Sequence, residues 1–161
     1  MEIKKQHKIR KAWIWDATIE KFIFNILRKY SNITYKRNVK ILNCPCGKSR
    51  IGTHFCDADK NVFTEEELED EEHYKIADMR ELPYKDNYFD IAISDPPWKL
   101  KYFKRFKPYY ELTRVVKNNG LVIYNATWIP TSKYDEVLEV YVRQDVAFGL
   151  TSIFSIIRVV K

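Results

Sequence analysis

The fold is decided by the stretch Phe89-Asp90-Ile91-Ala92-Ile93-Ser94-Asp95-Pro96-Pro97-Trp98. Residues 89–94 are almost continuously apolar, which is typical of a strand that is covered on both faces of a parallel sheet. The two prolines then end the strand, because proline has no N–H to donate to a neighbouring strand. This stretch therefore predicts a central buried strand that carries a carboxylate, Asp95, just beyond its carboxyl end.

Strand and helix patterns alternate on both sides of this stretch. Apolar residues recur at helical spacing over 14–29 and again from Pro108, a helix that we expect to end just before Gly120. The acidic run Glu65–Glu72 is typical of a solvated helix. The remaining short apolar runs predict strands at 39–42, 54–56, 74–77 and 121–125, followed by a terminal strand pair at 137–142 and 153–160 around Phe148-Gly149. This order indicates an α/β fold with a mainly parallel sheet.

Composition is that of one globular domain. The chain has 161 residues, of which 45% are hydrophobic and 31% are charged, which excludes a disordered, collagen-like or disulfide-dense protein. We expect a single domain over 1–161, with a helical N-terminal arm at 1–38 and the core at 39–161. No apolar run is long enough to span a membrane, and no signal peptide is apparent. The odd number of cysteines, three, favours a reducing compartment, so we expect a cytoplasmic protein.

The charge is spread unevenly. Residues 1–52 carry 13 basic and 3 acidic side chains, residues 53–97 carry 4 and 14, and residues 98–161 carry 11 and 5, within a net charge of +6. The basic ends could converge on one face and bind a polyanion. The alternative is that dispersed surface lysines serve solubility alone, and charge by itself does not choose between the two.

Polar residues follow several of the predicted strands. These are Asn43, Asp57 or Asp59, Asp78 and Asp95. In an open parallel sheet, ligands bind at the carboxyl ends of the strands, so these side chains are candidates for one shared crevice. Each one alone is more simply read as the start of a turn. The four together, with the tetrapeptide at 95–98, favour a ligand site.

Asp95-Pro96-Pro97-Trp98 after an apolar strand resembles the catalytic motif of S-adenosylmethionine-dependent amino-group methyltransferases. The pattern of that family is Asp, Asn or Ser, then Pro-Pro, then an aromatic residue. Its Asp form is associated with methylation of adenine N6 and cytosine N4 in nucleic acids. The runs 77–83 and 86–90 resemble the approach to this strand, and 111–124 resembles the helix and strand that follow. The resemblance covers about residues 39–160 and implies a Rossmann-like class I methyltransferase fold with a terminal antiparallel strand pair.

The resemblance also implies a chemistry for the motif. The Asp95 carboxylate and the Pro96 carbonyl would accept hydrogen bonds from the exocyclic amine of a base, while Pro97 shapes the turn and Trp98 offers a face for stacking. This implies a DNA methyltransferase, with adenine N6 as the first expectation. The alternatives are a methyltransferase of RNA bases or cytosine N4, and a non-catalytic nucleic-acid-binding module on the same fold.

The cofactor implied is S-adenosylmethionine. By resemblance, Asp57, or else Asp59, would accept the ribose hydroxyls, and Asp95 would border the reacting centre. The other residues that the resemblance assigns to the cofactor are Asn43, Cys44, Pro45 and Gly47 at its methionine end, and Asp78 and Met79 at its adenine. About ten residues separate Gly47 from Asp57, too few for a crossover helix and a strand. Either this helix is missing or the second strand lies elsewhere.

The segment after the motif mixes cations with aromatic rings. Its candidate nucleic-acid-binding residues are Lys99, Lys101, Tyr102, Phe103, Lys104 and Arg105. Cations for phosphates beside rings for bases suit an unstacked nucleotide. The alternative is a helix start whose rings enter the core while its lysines remain in water. We expect DNA or RNA as the partner, no membrane contact, and a second subunit as one possible source of sequence preference.

Other site types fit poorly. The run Gly47-Lys48-Ser49 resembles the end of a phosphate-binding loop, but Leu42 stands where that loop needs glycine. The cysteines and histidines lack the paired spacing of a zinc site, so we expect no metal.

Overall fold

The computed structural model describes residues 17–30, 38–97, 104–143 and 151–161. The described helices are α1 (Ala17–Tyr30), α2 (Glu65–Glu69) and α3 (Phe106–Val115), with a short 3-10 turn at Lys60–Val62. The described strands are β1 (Ile41–Asn43), β2 (His54–Asp57), β3 (Tyr74–Ile76), β4 (Phe89–Ser94), β5 (Val116–Ala126), β6 (Glu136–Arg143) and β7 (Ser152–Arg158). None of the helices within these ranges is long and apolar enough to cross a membrane.

The described strands form one sheet in the order β3-β2-β1-β4-β5-β7-β6. The first five run parallel, and β7 is antiparallel to both β5 and β6. This confirms the predicted α/β fold with a mainly parallel sheet and a terminal antiparallel pair. The strand order reverses between β1 and β4, which is the place where open α/β sheets bind ligands.

Helices cover both faces of the sheet. On one face, α1 contributes an apolar side that includes Phe22 and Ile23 to a cluster with residues of β4, β5 and β7. On the other face, Tyr109, Leu112 and Val115 of α3 pack in a second cluster with residues of β1, β4 and β5. Burial on both faces explains why β4 is apolar along nearly its whole length.

The connection between β1 and β2 contains no helix. The strands nevertheless pair in parallel, with Leu42 opposite His54 and Asn43 opposite Phe55. The chain returns by a tight loop, in which Thr53 N–H donates to the Ile41 carbonyl at 2.9 Å. Ile51 fills space beside α1 in the first cluster. Of the two possibilities left open by the sequence, the first therefore holds: the helix is missing and β2 lies where the sequence placed it.

Gly120 has a different role from the one expected. Helix α3 ends at Val115 and β5 begins at once at Val116, so Gly120 lies inside a strand and not just beyond a helix. A Cβ at Gly120 would approach the Asp90 carbonyl oxygen to 2.7 Å and Val116 Cγ1 to 2.6 Å. Glycine is needed here because β4 and β5 pass too closely for a side chain. The predicted turn at Phe148-Gly149 and most of the N-terminal arm lie outside the described residues.

Candidate active site

The loop after β4 forms the first part of the candidate site. Strand β4 lies between β1 and β5, so its end leaves the sheet beside the point where strand order reverses. Ser94 and Pro96 are buried, Asp95 is partly exposed and Pro97 is exposed. Asp95 therefore stands at the border between core and solvent, as a residue that contacts a ligand must. Trp98, the last residue of the motif, lies outside the described residues.

Two buried side chains support Asp95. Asn125 Nδ2 donates a hydrogen bond to Asp95 Oδ1 at 3.1 Å. The hydroxyl of Ser152 donates in turn to Asn125 Oδ1 at 2.6 Å. Neither Asn125 nor Ser152 was predicted as a site residue from the sequence. The signal that could have found Asn125 is the one that found Asn43, a polar residue at the end of an apolar strand.

A small cavity of about 40 Å³ adjoins the motif. The Arg105 guanidinium carbon lies 4.4 Å from the centroid of the Trp128 ring. The centroid of the Phe106 ring lies 4.8 Å from the same centroid. A cation and two aromatic rings thus meet beside the prolines. The residues that line the cavity are Pro96, Pro97, Arg105, Tyr124, Ala126, Thr127 and Trp128. Trp128 was not among the residues predicted from sequence.

Only part of the predicted nucleic-acid-binding segment can be located. Lys99, Lys101, Tyr102 and Phe103 lie outside the described residues. Arg105 lies over Trp128, as noted above. Lys104 is exposed and borders a second cavity of about 330 Å³, which is lined by Asp78, Arg80, Glu81, Lys104 and Lys107. The end of this segment therefore brings positive charge near both the motif and Asp78.

The end of β2 contacts the loop after β1. Gly47 N–H donates to Asp57 Oδ2 at 2.9 Å, and Asp59 N–H donates to Asp57 Oδ1 at 3.0 Å. Asp57 is partly exposed. Asp59 instead caps the 3-10 turn through a bond from Asn61 N–H at 3.0 Å. Of the two acids, Asp57 is the one held beside Gly47, so two residues predicted to share a site are in contact.

Asp78 follows β3 and lines the larger cavity. Its carboxylate pairs with the Arg80 guanidinium, whose Nε donates at 2.9 Å, and it also accepts the Arg80 backbone N–H at 2.8 Å. The hydrogen bond from the Arg80 side chain is the main reason that the pKa of Asp78 is lowered to about 2. Asp78 is therefore a fully ionised acceptor at neutral pH.

Three side chains predicted to hold the cofactor are turned into the interior. Asn43 is fully buried, and its Nδ2 donates to the Ile51 carbonyl at 3.1 Å and to Ser49 Oγ at 3.3 Å. Cys44 is fully buried, and Met79 packs in the cluster that α3 covers. These side chains contribute to packing and loop geometry, and their contact with the cofactor stays a prediction. Pro45 is partly exposed.

The three cysteine thiols are all free and buried, and burial raises the pKa of Cys46 to about 12. A hydrogen bond with Cys56, followed by burial, raises the pKa of Cys44. Across the part of the chain that the structure describes, no three His, Cys, Asp or Glu side chains are grouped so as to hold a metal ion.

No protein-family model matches the chain. Over 120 residues, 68% of its length, the chain is 30% identical to malonyl-[acyl-carrier protein] O-methyltransferase of Buchnera aphidicola subsp. Baizongia pistaciae (strain Bp). The match covers 47% of that protein, so the chain spans about half the length of this curated relative.

Solved structures with a similar fold include the N-methyltransferase NodS from Bradyrhizobium japonicum WM9. The TM-score is 0.63 at 10% identity, over 91% of this chain and 99% of NodS. A putative methylase from Haemophilus influenzae gives a TM-score of 0.62 at 15% identity, over 89% of this chain and 97% of that one. Together with the sheet topology, these likenesses show that the chain has the Rossmann-like fold of the class I S-adenosylmethionine-dependent methyltransferases.

Proposed function

We propose that the chain binds S-adenosylmethionine and transfers its methyl group to an exocyclic amino group of a nucleic-acid base, with adenine N6 of DNA as the first candidate. One observation carries the proposal. A partly exposed carboxylate, Asp95, is held by a buried amide beside Pro96, at the strand end where this fold binds ligands. The fold and the distant curated relative support the cofactor and the type of reaction.

The strand ends suit the cofactor. Asp57 is the last residue of β2, Asp78 follows the neighbouring strand β3, and both are partly exposed. Each Asp57 oxygen accepts one backbone N–H and retains a second acceptor site for a hydroxyl group. Asp78 is ionised at neutral pH and can accept an amino hydrogen. Bound S-adenosylmethionine supplies the methyl group on a positively charged sulfur, which keeps the electron pair when the methyl leaves.

The motif suits an amine that is a poor nucleophile. The lone pair of an exocyclic base nitrogen is delocalised into the ring, so the nitrogen must be drawn towards tetrahedral geometry before it can react. Two acceptors do this if each takes one N–H. A carboxylate has about four acceptor sites, so Asp95 can accept an amine hydrogen as well as the one from Asn125. The Pro96 carbonyl is the second acceptor, and Asp95 can take the proton that the methylated nitrogen releases.

The surroundings of Pro96 and Pro97 suit a base and its phosphate. Trp128 and Phe106 present aromatic rings beside the prolines, and Arg105 adds a positive charge. Stacking of a base on an aromatic ring contributes about 1–3 kcal/mol. The exposed Lys104 is placed to meet a phosphate. By resemblance, Trp98 would add a further stacking face.

A second candidate is methylation of a carboxylate, and it is favoured by the likeness to the malonyl-[acyl-carrier protein] O-methyltransferase. The two candidates place opposite demands on Asp95. A carboxylate acceptor is already an anion, so a second carboxylate beside it would repel it. An amine donates N–H groups and is attracted. The presence of Asp95 therefore favours an amine.

The test measures transfer of labelled methyl groups from S-adenosylmethionine to DNA, to RNA and to malonyl-acyl carrier protein in separate reactions. The labelled DNA is digested to nucleosides and the product is identified by mass. We expect N6-methyladenine from DNA, and a loss of about 100-fold or more in rate for Asp95→Ala. The matched control is Glu71→Ala, which removes an exposed acid far along the chain from the motif and should leave the rate within about twofold.

Each other result would overturn a stated part of the proposal. Label in RNA alone would show that the acceptor is RNA and not DNA. Label in malonyl-acyl carrier protein alone would establish the second candidate. DNA binding without transfer to any acceptor would indicate a binding module. Equal rates for Asp95→Ala and the unmodified chain would refute the role of the motif whatever the acceptor.

A further inference from the structure

We propose that Asn125 is a positioning residue, which fixes the orientation of the Asp95 carboxylate, and that Ser152 supports Asn125 by bonding its amide oxygen. This inference rests on the proposed function, because it assigns a supporting role to residues that do not themselves contact the reacting atoms. It concerns three side chains at the ends of three neighbouring strands.

Strand register brings these side chains together. In the parallel pair β4–β5, Ser94 lies opposite Tyr124, so Asp95 follows at the level of Asn125. In the antiparallel pair β5–β7, Asn125 lies opposite Phe154, and Ser152 is the first residue of β7. The row Asp95, Asn125, Ser152 thus crosses the sheet at its ligand-binding edge, and residues distant in sequence meet only because the strands pair in this register.

The hydrogen bonds allow one orientation of the amide. An asparagine side chain has one acceptor oxygen and two donor hydrogens on nitrogen. The Asp95 carboxylate only accepts hydrogen bonds, so Asn125 Nδ2 faces Asp95 Oδ1 at 3.1 Å. The flipped amide would set its oxygen against the carboxylate, with no hydrogen between them and with like partial charges facing. The Ser152 hydroxyl donates to the amide oxygen at 2.6 Å, which occupies that oxygen and leaves Nδ2 to Asp95.

Burial makes this arrangement firm. Asn125 is 3% exposed and Ser152 is 1% exposed, so water does not compete for their polar groups. Hydrogen bonds in such a low-dielectric setting are stronger than in water, and those to a charged acceptor are stronger still. The carboxylate at the edge of the crevice is thus held by groups in the core, which prevents it from rotating away from an incoming amine.

Two changes at Asn125 separate positioning from a merely structural role. Asn125→Asp places a second carboxylate beside Asp95, and two carboxylates that share a site take up a proton at a higher pH than one alone. We expect the acid limb of the pH profile of kcat to move up by at least about one pH unit. Asn125→Ala removes the donor, and we expect kcat to fall about 10–100-fold while KM for S-adenosylmethionine stays within about twofold.

A matched pair on β7 tests the outer part of the row. Ser152→Ala should lower kcat several-fold, because the Asn125 amide oxygen loses its hydrogen-bond partner and the amide is held less firmly. The control is Ser155→Ala on the same strand, since Ser155 is also fully buried but its hydroxyl has no hydrogen-bond partner among the described residues. Ser155→Ala should leave kcat within about twofold. Thermal unfolding of each variant shows whether it is folded at the assay temperature.

The outcomes are distinct from those of the proposed function. If the unmodified chain transfers methyl groups, but the pH profile of Asn125→Asp matches that of the unmodified chain or Ser152→Ala matches Ser155→Ala, then Asn125 is not a positioning residue. If the unmodified chain transfers methyl to no acceptor, the proposed function fails instead. In that case the positioning role is tested by carbon NMR of the Asp95 carboxyl. The pKa of this carboxyl should rise in Asn125→Ala, because a hydrogen bond to its charged form is lost. An unchanged pKa would overturn the inference.

Discussion

Asn43 ends β1 and Asn125 lies near the end of β5, on opposite sides of β4, and both are buried. The Asn43 amide donates to Ser49 and Ile51, which belong to the loop that follows its own strand. The Asn125 amide donates across the sheet to Asp95. Two residues of the same type, at equivalent places on one sheet edge, therefore support a loop in one case and a candidate catalytic carboxylate in the other.

The difference follows from what each neighbourhood lacks. The loop from β1 to β2 has no helix, so its backbone groups bond neighbouring strands, each other and nearby side chains, of which Asn43 is one. The β4 loop contains a carboxylate that needs a donor, and β5 supplies it. Substitutions of the buried residues Asn43, Ile51 and His54 on the β1–β2 side are expected to change stability, whereas those of Asn125 and Ser152 are expected to change the chemical step.

The largest effect on the β1–β2 side is expected for Ile51→Ala. Ile51 is 4% exposed and packs against α1, where a crossover helix would otherwise contribute apolar surface. We expect the free energy of unfolding to fall by about 3 kcal/mol, measured by urea denaturation. The control Ile129→Ala, at a residue 41% exposed, should change it by less than about 0.5 kcal/mol. Equal effects at the two positions would contradict the packing role of this loop.

A loss of stability of similar or smaller size is expected when the pH is lowered, because of His54, the first residue of β2. Burial, followed by the nearby His73, lowers the pKa of His54 to about 4 from an ordinary value of 6.5. The folded protein thus binds fewer protons than the unfolded chain between these values. The free energy of unfolding is therefore unaffected by this group above pH 6.5. It falls as the pH drops from 6.5 towards 4, by about 3 kcal/mol in total.

The measurement compares the unmodified chain with His54→Phe, which keeps a ring among the neighbouring rings of Tyr88 and Phe89. The free energy of unfolding of the variant should depend less steeply on pH between 6.5 and 4. Identical slopes would show that His54 is not held neutral by its surroundings, and would weaken the view that this side serves packing.

The smallest effect on stability is expected for Asn43→Ala, and this variant tests the comparison most directly. Loss of the amide leaves the Ile51 carbonyl without this donor and should lower the free energy of unfolding by about 1–2 kcal/mol. Where the variant is folded, kcat should stay within about twofold, in contrast to Asn125→Ala. A large loss of kcat at unchanged stability would break the contrast between the two asparagines.

Much of the fold could be predicted from local pattern. The apolar run at 89–94 coincides with β4, and the predicted strand at 54–56 and helix at 65–72 match β2 and α2 with small differences at their ends. These predictions succeed because periodicity and proline chemistry act within a few residues. The predicted end of the helix just before Gly120 was wrong, because α3 ends at Val115 and β5 begins at Val116, which pairs with Phe89 of β4, a contact that no local signal reveals.

The candidate site divides in the same way. The sequence located Asp57, Asp78 and Asp95 at strand ends, and contact with Gly47 distinguishes Asp57 from Asp59. It also predicted that Asn43 belongs to the ligand site; the structure adds that the amide nitrogen of Asn43 bonds the loop that follows β1. Which groups the Asn43 amide bonds depends on which backbone groups of the next loop lack partners, and that is known only once the loop is folded.

The sequence by itself determined the α/β class, the buried central strand and the carboxylate that follows it, because each depends on residues next to one another. The tertiary structure alone decided that Asn125 and Ser152 support Asp95. Asn125 lies 30 positions from Asp95 along the chain, and Ser152 lies 27 positions from Asn125. A buried amide must bond to whatever polar group packing brings within reach, and strand register, which couples distant segments, determines that group.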